Sequence, residues 1–287
     1  SVGVGVNTVY EGAKFQVVGP ARVGSSPRGV VGAGSFAYGN NTEASGTYSM
    51  AGGRYSMATG YASTAIGDST LASGNYSLAT GRKTNATGYS SVTFGQGTTA
   101  SGSNALAGGL NTTASGDRAV ALGNSSTASG NFSVAFGNNS EARGQNSIAF
   151  GYETLAREQR SMAFGYGSQS LQESAVAFGY KSVANGIKAV AFGDSTRAIG
   201  ASAMSFGRHT RATGLYATAS GNTTVASGDA SFAAGSGTTA SGARAAVFGL
   251  ESTASGSASF AAGNSTVANS ANAVALGSDT RATANNA

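Results

Sequence analysis

A glycine recurs at every fourteenth residue from Gly39 to Gly277, eighteen times without an insertion or deletion. No other feature of the chain restricts its fold so tightly, because a fixed period is the mark of a repeat architecture. With position 1 as the residue after each such glycine, the other columns fall into register. Position 3 is Ser or Thr in all eighteen repeats, from Thr42 through Ser126 to Thr280, and position 5 is Ala except at Ser170. Position 7 is Gly except at Glu158, Gln172, Ser270 and Ala284. Positions 10 and 12 are nearly always Ser or Ala, while 11 and 13 carry the bulk: Val134 with Phe136, Ile148 with Phe150, Met162 with Phe164, Val176 with Phe178, Val190 with Phe192.

Fourteen residues are too few for the helical solenoids, whose repeats run from about 33 residues upward. Small and large residues alternate over positions 10 to 13 with period 2, which is strand geometry. Glycines seven apart divide each repeat into halves, each able to hold a strand of about five residues and a tight turn, with Gly accepting φ > 0 at the corners. The pattern predicts an all-β protein: a parallel β-solenoid of about 18 rungs over residues 29–287, two short strands per rung. Residues 1–28 do not fit the repeat; Val2, Val4, Val6, Tyr10, Phe15, Val17 and Val18, with a turn signal at Gly19-Pro20, read as a β cap or the end of a preceding segment. Thr283–Ala287 stop inside a rung, which predicts a longer parent chain.

Composition removes other readings. The 45 glycines among 287 residues exceed ordinary usage, but two prolines and no Gly-X-Y period exclude collagen. A chain that is 40% hydrophobic with a net charge of +5 is not disordered by composition. Without cysteine there is no disulfide scaffold, thiol nucleophile or Cys-based zinc site. The single histidine, His209, suits a surface loop better than a metal centre. No carboxylate pair falls in an evident concave site and no Gly-Lys-Ser/Thr follows the Gly-x-Gly stretches. We expect no enzyme, cofactor or metal. No apolar run reaches about 18 residues, so no helical membrane span is expected. Base-stacking aromatics do not interleave with the basic residues, so nucleic acid is not an expected partner.

Positions 4 and 6 vary freely, as Glu43, Asn85, Arg143 and Arg197 illustrate, and therefore face solvent. Positions 3 and 5 then point inward. The second strand has no face polar enough for water, so it needs a partner beyond its own roll. Position 13 ranges from Gly52 to Phe206 while 10 and 12 stay small. This favours small residues in a thin interior and large ones outward at an oligomer interface; the opposite packing also satisfies the alternation. The outward set names Val134, Phe136, Ile148, Phe150, Met162, Phe164, Val176, Phe178, Val190 and Phe192 as interface residues.

In this sequence the repeat reads Ser133-Val-Ala-Phe-Gly137, then Asn-Asn-Ser140-Glu-Ala142-Arg-Gly144. It resembles the head domain of trimeric autotransporter adhesins, the YadA-like head, over about residues 30–287. The resemblance implies a left-handed parallel β-roll assembled as a homotrimer on the surface of a Gram-negative bacterium. It further implies outer-membrane anchoring through a coiled-coil stalk and β-barrel, neither of which is present in this sequence, and no membrane insertion by the head. The implied function is adhesion to extracellular-matrix proteins, host receptors or other surfaces, including abiotic ones, with self-association of cells. The alternative is a spacer that holds a more distal binding domain. Phe commonly stands where the family pattern has Ile, and Glu158 and Gln172 predict altered corners between residues 151 and 175.

Candidate contact residues fall in three groups. Tyr152, Tyr166 and Tyr180 occupy position 1 of successive rungs, predicting a ladder about 4.8 Å apart; exposed aromatics suit recognition, and mutual stacking alone also accounts for them. Arg157 and Arg160 flank the irregular corner at Glu158. Arg197 and Arg211 hold position 4 of adjacent rungs, with Lys181, Lys188, Arg208 and His209 in loops nearby. Like charges opposed across strands are destabilising, so this cluster suits a sulfated glycan, a sialylated surface or an acidic protein patch, or else is a solvated corner offset by Asp194.

Overall fold

The computed structural model describes residues 31–286 in full, together with the backbone of the strand Ala21–Val23. Val2 to Val18, read above as part of a cap, lie outside the described residues. The chain divides into two compact units, Ser1–Asn139 and Ser140–Ala287, built from the same rung.

In the first unit, five-residue strands run from Phe36–Asn40 through Met50–Arg54 to Val134–Asn138. Each pairs in parallel with its counterpart one repeat on: Phe36 with Met50, Val92 with Leu106, Leu122 with Phe136. Two-residue strands from Glu43–Ala44 to Thr127–Ala128 form a second ladder, with Glu43 opposite Met57 and Thr113 opposite Thr127. The second unit repeats both ladders, from Ile148–Tyr152 to Val274–Ser278 and from Glu141–Ala142 to Arg281–Ala282. The expected halves are thus unequal. Positions 4 and 5 alone pair in the short strand because the turn over positions 6 to 9 takes up the rest of that half.

The small columns face inward. Ala135, Ala149, Ala177 and Ala191 at position 12 are fully buried, as are Ala142, Ala156 and Ala184 at position 5. Val247 is the largest fully buried side chain among the described residues, with threonines next. This settles the two packings in favour of small residues inside. Such an interior contributes about 0.8 kcal/mol for each buried methyl group, well short of a leucine core. The backbone ladders therefore carry a large share of the fold's stability.

Position 3 also points inward, and there Ser and Thr behave differently. The hydroxyls of Ser56, Ser126, Ser140, Ser168, Ser182 and Ser252 donate to the glycine carbonyl eleven residues on, at 2.7 to 3.1 Å. Thr70, Thr84, Thr98, Thr224, Thr238 and Thr266 have buried hydroxyls without a hydrogen-bond partner among the described residues. A β-branched side chain is stiff at χ1; Thr154 and Thr196 turn their hydroxyls to Ser140 and Ser182 Oγ instead of a glycine carbonyl. A buried unpaired hydroxyl costs stability. Thr98→Val is accordingly expected to stabilise the fold by about 1 kcal/mol and Ser126→Ala to destabilise it by about 1 kcal/mol, both read from urea unfolding. Loss of stability in Thr98→Val would sink this account.

The glycine columns have separate causes. Position 14 has φ between +101° and +140° throughout both units, where side chains are strained, and a Cβ on Gly179 would run into the Gly193 carbonyl oxygen. Position 7 does not have positive φ; Gly60 is small because a Cβ there would strike the Gly74 carbonyl. The corner reading of the sequence therefore holds for one column and fails for the other. Left-handed backbone occurs instead at positions 2 and 9, which ordinary residues occupy: Tyr55 (φ 54), Lys83 (54), Arg118 (55), Phe132 (59), His209 (54). Such a conformation costs roughly 1–2 kcal/mol per residue. Amide bonds between rungs hold it, as Tyr55 N–H to the Asn40 carbonyl (2.9 Å) and Ala62 N–H to the Thr47 carbonyl (2.8 Å) show.

Candidate adhesive surface

Because the interior takes only small side chains, every large one lies outside, on one of the long-strand face, the short-strand face or the two turns. The turn at positions 1 and 2 carries the expected tyrosine ladder. Tyr152 and Tyr166 stack with ring centroids 4.8 Å apart and planes 6° from parallel; Tyr166 and Tyr180 stack at 5.2 Å and 17°. Both ring faces of Tyr166 are thereby covered, and the ladder offers edges and hydroxyls. The negative charge of Glu153 beside Tyr152, and the hydrogen bond its carboxylate accepts from that hydroxyl, push the Tyr152 phenol above the ordinary tyrosine range. Lys181 Nζ lies 5.2 Å from the centre of the Tyr180 ring, within cation–π reach.

The basic cluster separates into three parts. Arg197 and Arg211 are register partners on adjacent short strands, both exposed. Arg208 is 3.9 Å from Asp194, its ladder neighbour, so that corner is largely neutralised. Lys188 sits at position 9, on the other turn of its rung from Lys181, Arg208 and His209. The sequence reading that grouped it with them is corrected: the short strand separates the two turns. Among the described residues, no carboxylate lies within ion-pair distance of Lys181, Arg197 or Arg211.

Arg157 and Arg160 also occupy the position 6 to 9 turn, away from the tyrosine ladder. Arg160 pairs with Glu173 at 2.6 Å, and Arg157 lies 3.9 Å from Glu158. The corner is not rebuilt where glycine is lost. Ser161 N–H bonds the Glu158 carbonyl at 3.1 Å and Ala175 N–H the Gln172 carbonyl at 3.2 Å, as Ser147 N–H does Gly144 at 3.2 Å.

The long strands turn their apolar column outward. Val134 and Phe136 do so in the first unit; Ile148, Phe150, Met162, Phe164, Val176, Phe178, Val190 and Phe192 do so in the second. Phe178 and Phe192 remain 44% and 49% exposed. Phe164 to Phe178 and Phe178 to Phe192 measure 5.9 and 4.8 Å between centroids.

A second aromatic array escaped the sequence reading. Tyr48, Tyr61, Tyr76 and Tyr89 form an edge-to-face series in the first unit, with centroids 5.8, 5.4 and 5.5 Å apart. They alternate between positions 9 and 8, so a scan at fixed fourteen-residue steps passes over them; steps of thirteen and fifteen would have found them. The Arg54–Asp68 pair at position 1 (2.7 Å) was likewise unread. Its hydrogen bond from Arg54 holds the half-buried Asp68 carboxyl below the usual range. Among the described residues no group of His, Asp and Glu is placed to hold a metal ion, and no helix is long and apolar enough to cross a membrane.

Fold and surface together define a parallel β-solenoid that confines its chemistry to repeated turns and two outer faces. The chain belongs to the YadA head family: the YadA head domain repeat, in its two-copy form, matches residues 31–56, 58–84, 86–112, 114–140, 142–168, 170–196, 212–238 and 254–280. No curated protein matches the chain. The repeat family is one of structural adhesin modules and not of enzymes. The stretches between the last matches keep the register too, with Met204 opposite Thr218 and Phe232 opposite Ala246.

Proposed function

We propose that this chain is the adhesive head of a surface protein of a Gram-negative bacterium. It works as a homotrimer that attaches cells to extracellular-matrix proteins, host receptors or other surfaces. The observation that carries the reading is the family repeat combined with an outer long-strand face that is apolar and half exposed in the single roll. Three rolls packed on that face would cover it, leaving the turns and short strands to contact a target. Each turn recurs once per rung and three times per trimer, so weak contacts gain from avidity. Anchoring belongs to a stalk and an outer-membrane β-barrel. Residues 1–28 act as a cap; pairing of Ala21 with Phe36 and of Val23 with Tyr38 supports this.

The test coats surfaces with the purified protein and with collagen, fibronectin, laminin and receptor ectodomains in parallel. Saturable binding at physiological salt is expected for at least one protein or cell surface. It should weaken about tenfold or more when Tyr152, Tyr166 and Tyr180 become Ser together, or when Arg197 and Arg211 become Glu. A chain that only spaces a distal domain would bind nothing, and neither set of changes would alter adhesion of the whole surface protein.

A further inference from the structure

Gly167 interrupts the row of side chains at position 2 and leaves a cleft of about 530 Å³ between Glu153 and Lys181, lined by Tyr166, Gln169, Val183 and Arg197 as well. The backbone does not require glycine here. Gly167 has φ +63°, and Glu153 (52°) and Lys181 (49°), on either side in the same column, adopt that conformation with full side chains. A Cβ on Gly167 would meet Lys181 Cγ at 3.3 Å, the movable part of a flexible side chain, and Lys181 Cα at an ordinary contact distance of 4.0 Å. The cleft is therefore a consequence of which residue stands at 167, not of the fold.

Its lining is polarised. Glu153 closes one end; Lys181, two rungs away at a span of about 10 Å, and Arg197, on the rung beyond, form the other. Arg211 lies one strand further on, opposite Arg197. Lys181 and Arg197 line that end, and neither they nor Arg211 has a carboxylate in ion-pair range among the described residues. Two arginines one strand apart repel, and an anion between them relieves the repulsion, with the guanidinium fork matching carboxylate or sulfate oxygens. The rest of the wall offers a tyrosine edge and hydroxyl, an amide and a carboxylate. Stacking covers the Tyr166 faces, so neither a flat apolar platform nor an aromatic slot is available. The flanking strands Gln169–Ser170, Val183–Ala184 and Arg197–Ala198 are each paired on both sides, leaving no edge for an added peptide strand.

We infer that this cleft binds an acidic saccharide. Its carboxylate or sulfate lies against Lys181 and Arg197, and its hydroxyls hydrogen-bond Tyr166, Gln169 and Glu153. The inference deepens the adhesin reading and rests on it, by naming one ligand class for this turn.

The experiment titrates the intact 287-residue protein with 3′-sialyllactose, a heparin tetrasaccharide, neutral lactose and a hexaglutamate peptide. Calorimetry or surface plasmon resonance at about 0.15 M salt provides the readout. Saturable binding of at least one acidic saccharide is expected, with no binding of lactose and none of the peptide at matched concentration. Sialyllactose alone would mark the anion as carboxylate and the heparin fragment alone as sulfate. Gly167→Asn fills the cleft with a residue that tolerates this backbone, and Arg197→Gln removes the anion fork; each should weaken binding about tenfold or more. Gly97→Asn, the same change at the same repeat position in the other unit, should leave both binding and circular dichroism unchanged. Failure of both acidic saccharides to bind, equal binding of the peptide, or binding indifferent to Gly167→Asn and Arg197→Gln overturns the assignment. If the protein still adheres to coated proteins in those cases, the ligand class is wrong and the adhesin reading stands.

Discussion

Gly179→Val is expected to lower unfolding stability by roughly 3–5 kcal/mol and to make urea unfolding of the roll less cooperative. Two costs act together. The added Cβ is driven into the Gly193 carbonyl oxygen, and Val is held at φ +121°, outside the regions open to a β-branched residue. Neither cost relaxes locally, because Gly179 is bonded in register both to Gly165 and to Gly193. In a repeat fold each rung is stabilised chiefly by its neighbours, so one displaced rung weakens both interfaces it makes. The control is Lys181→Asn, two residues along the same turn, which should change stability by no more than about 0.5 kcal/mol. Circular dichroism against urea measures both, and a lower slope in Gly179→Val would report the split transition. Stability within about 1 kcal/mol of the parent would show that glycine recurs at position 14 for some reason other than geometry.

The contrast between Gly179 and Lys181 also marks how far the sequence could be read. Column identity predicted the strands, the parallel register and the inward face, because an interior that admits nothing larger than Val247 filters residues strictly. It predicted the tyrosine ladder, because Tyr152, Tyr166 and Tyr180 share one column. It could not predict the left-handed residues at positions 2 and 9. Tyr, Lys, Arg, Ser and Asn all occur there, held by their own N–H groups donating to carbonyls of the preceding rung, so the backbone constraint leaves no signature in the side chains. Seven-residue spacing made Gly60 and Gly179 look equivalent, although close backbone approach alone governs the first and close approach together with positive φ the second. Ser and Thr at position 3 read as one column, yet only the serines bond the turn carbonyl. The cluster around Arg197 was legible as charge but not as geometry: sequence proximity brought in Lys188, which the roll places on the other turn. The cleft at Gly167 was hidden for a related reason. In a chain with 45 glycines, one more gives no sign that its value lies in the side chain it lacks.

Replacing Phe164, Phe178 and Phe192 together by Ser is expected to convert a trimer into a monomer that keeps its fold. All three rings point away from the interior, and the same column already holds Thr80 and Ser220 in register, so the roll accepts a small polar residue there. Losing the contacts among the three rings should cost the monomer about 1–2 kcal/mol, which leaves far-UV circular dichroism unchanged at room temperature. The effect on assembly is larger. Fully burying a phenylalanine is worth about 1.5–3 kcal/mol, and with Phe178 and Phe192 half exposed about 1 kcal/mol per ring is left for an interface to recover. Summed over three rings in each of three chains, that is on the order of 9 kcal/mol, enough to move an association equilibrium by several decades. Sedimentation equilibrium decides the matter. A trimeric parent and a monomeric triple variant would place the apolar column in the interface. A parent that sediments as a monomer would remove the assembly argument, and a variant that stays trimeric would move the interface to another face of the roll.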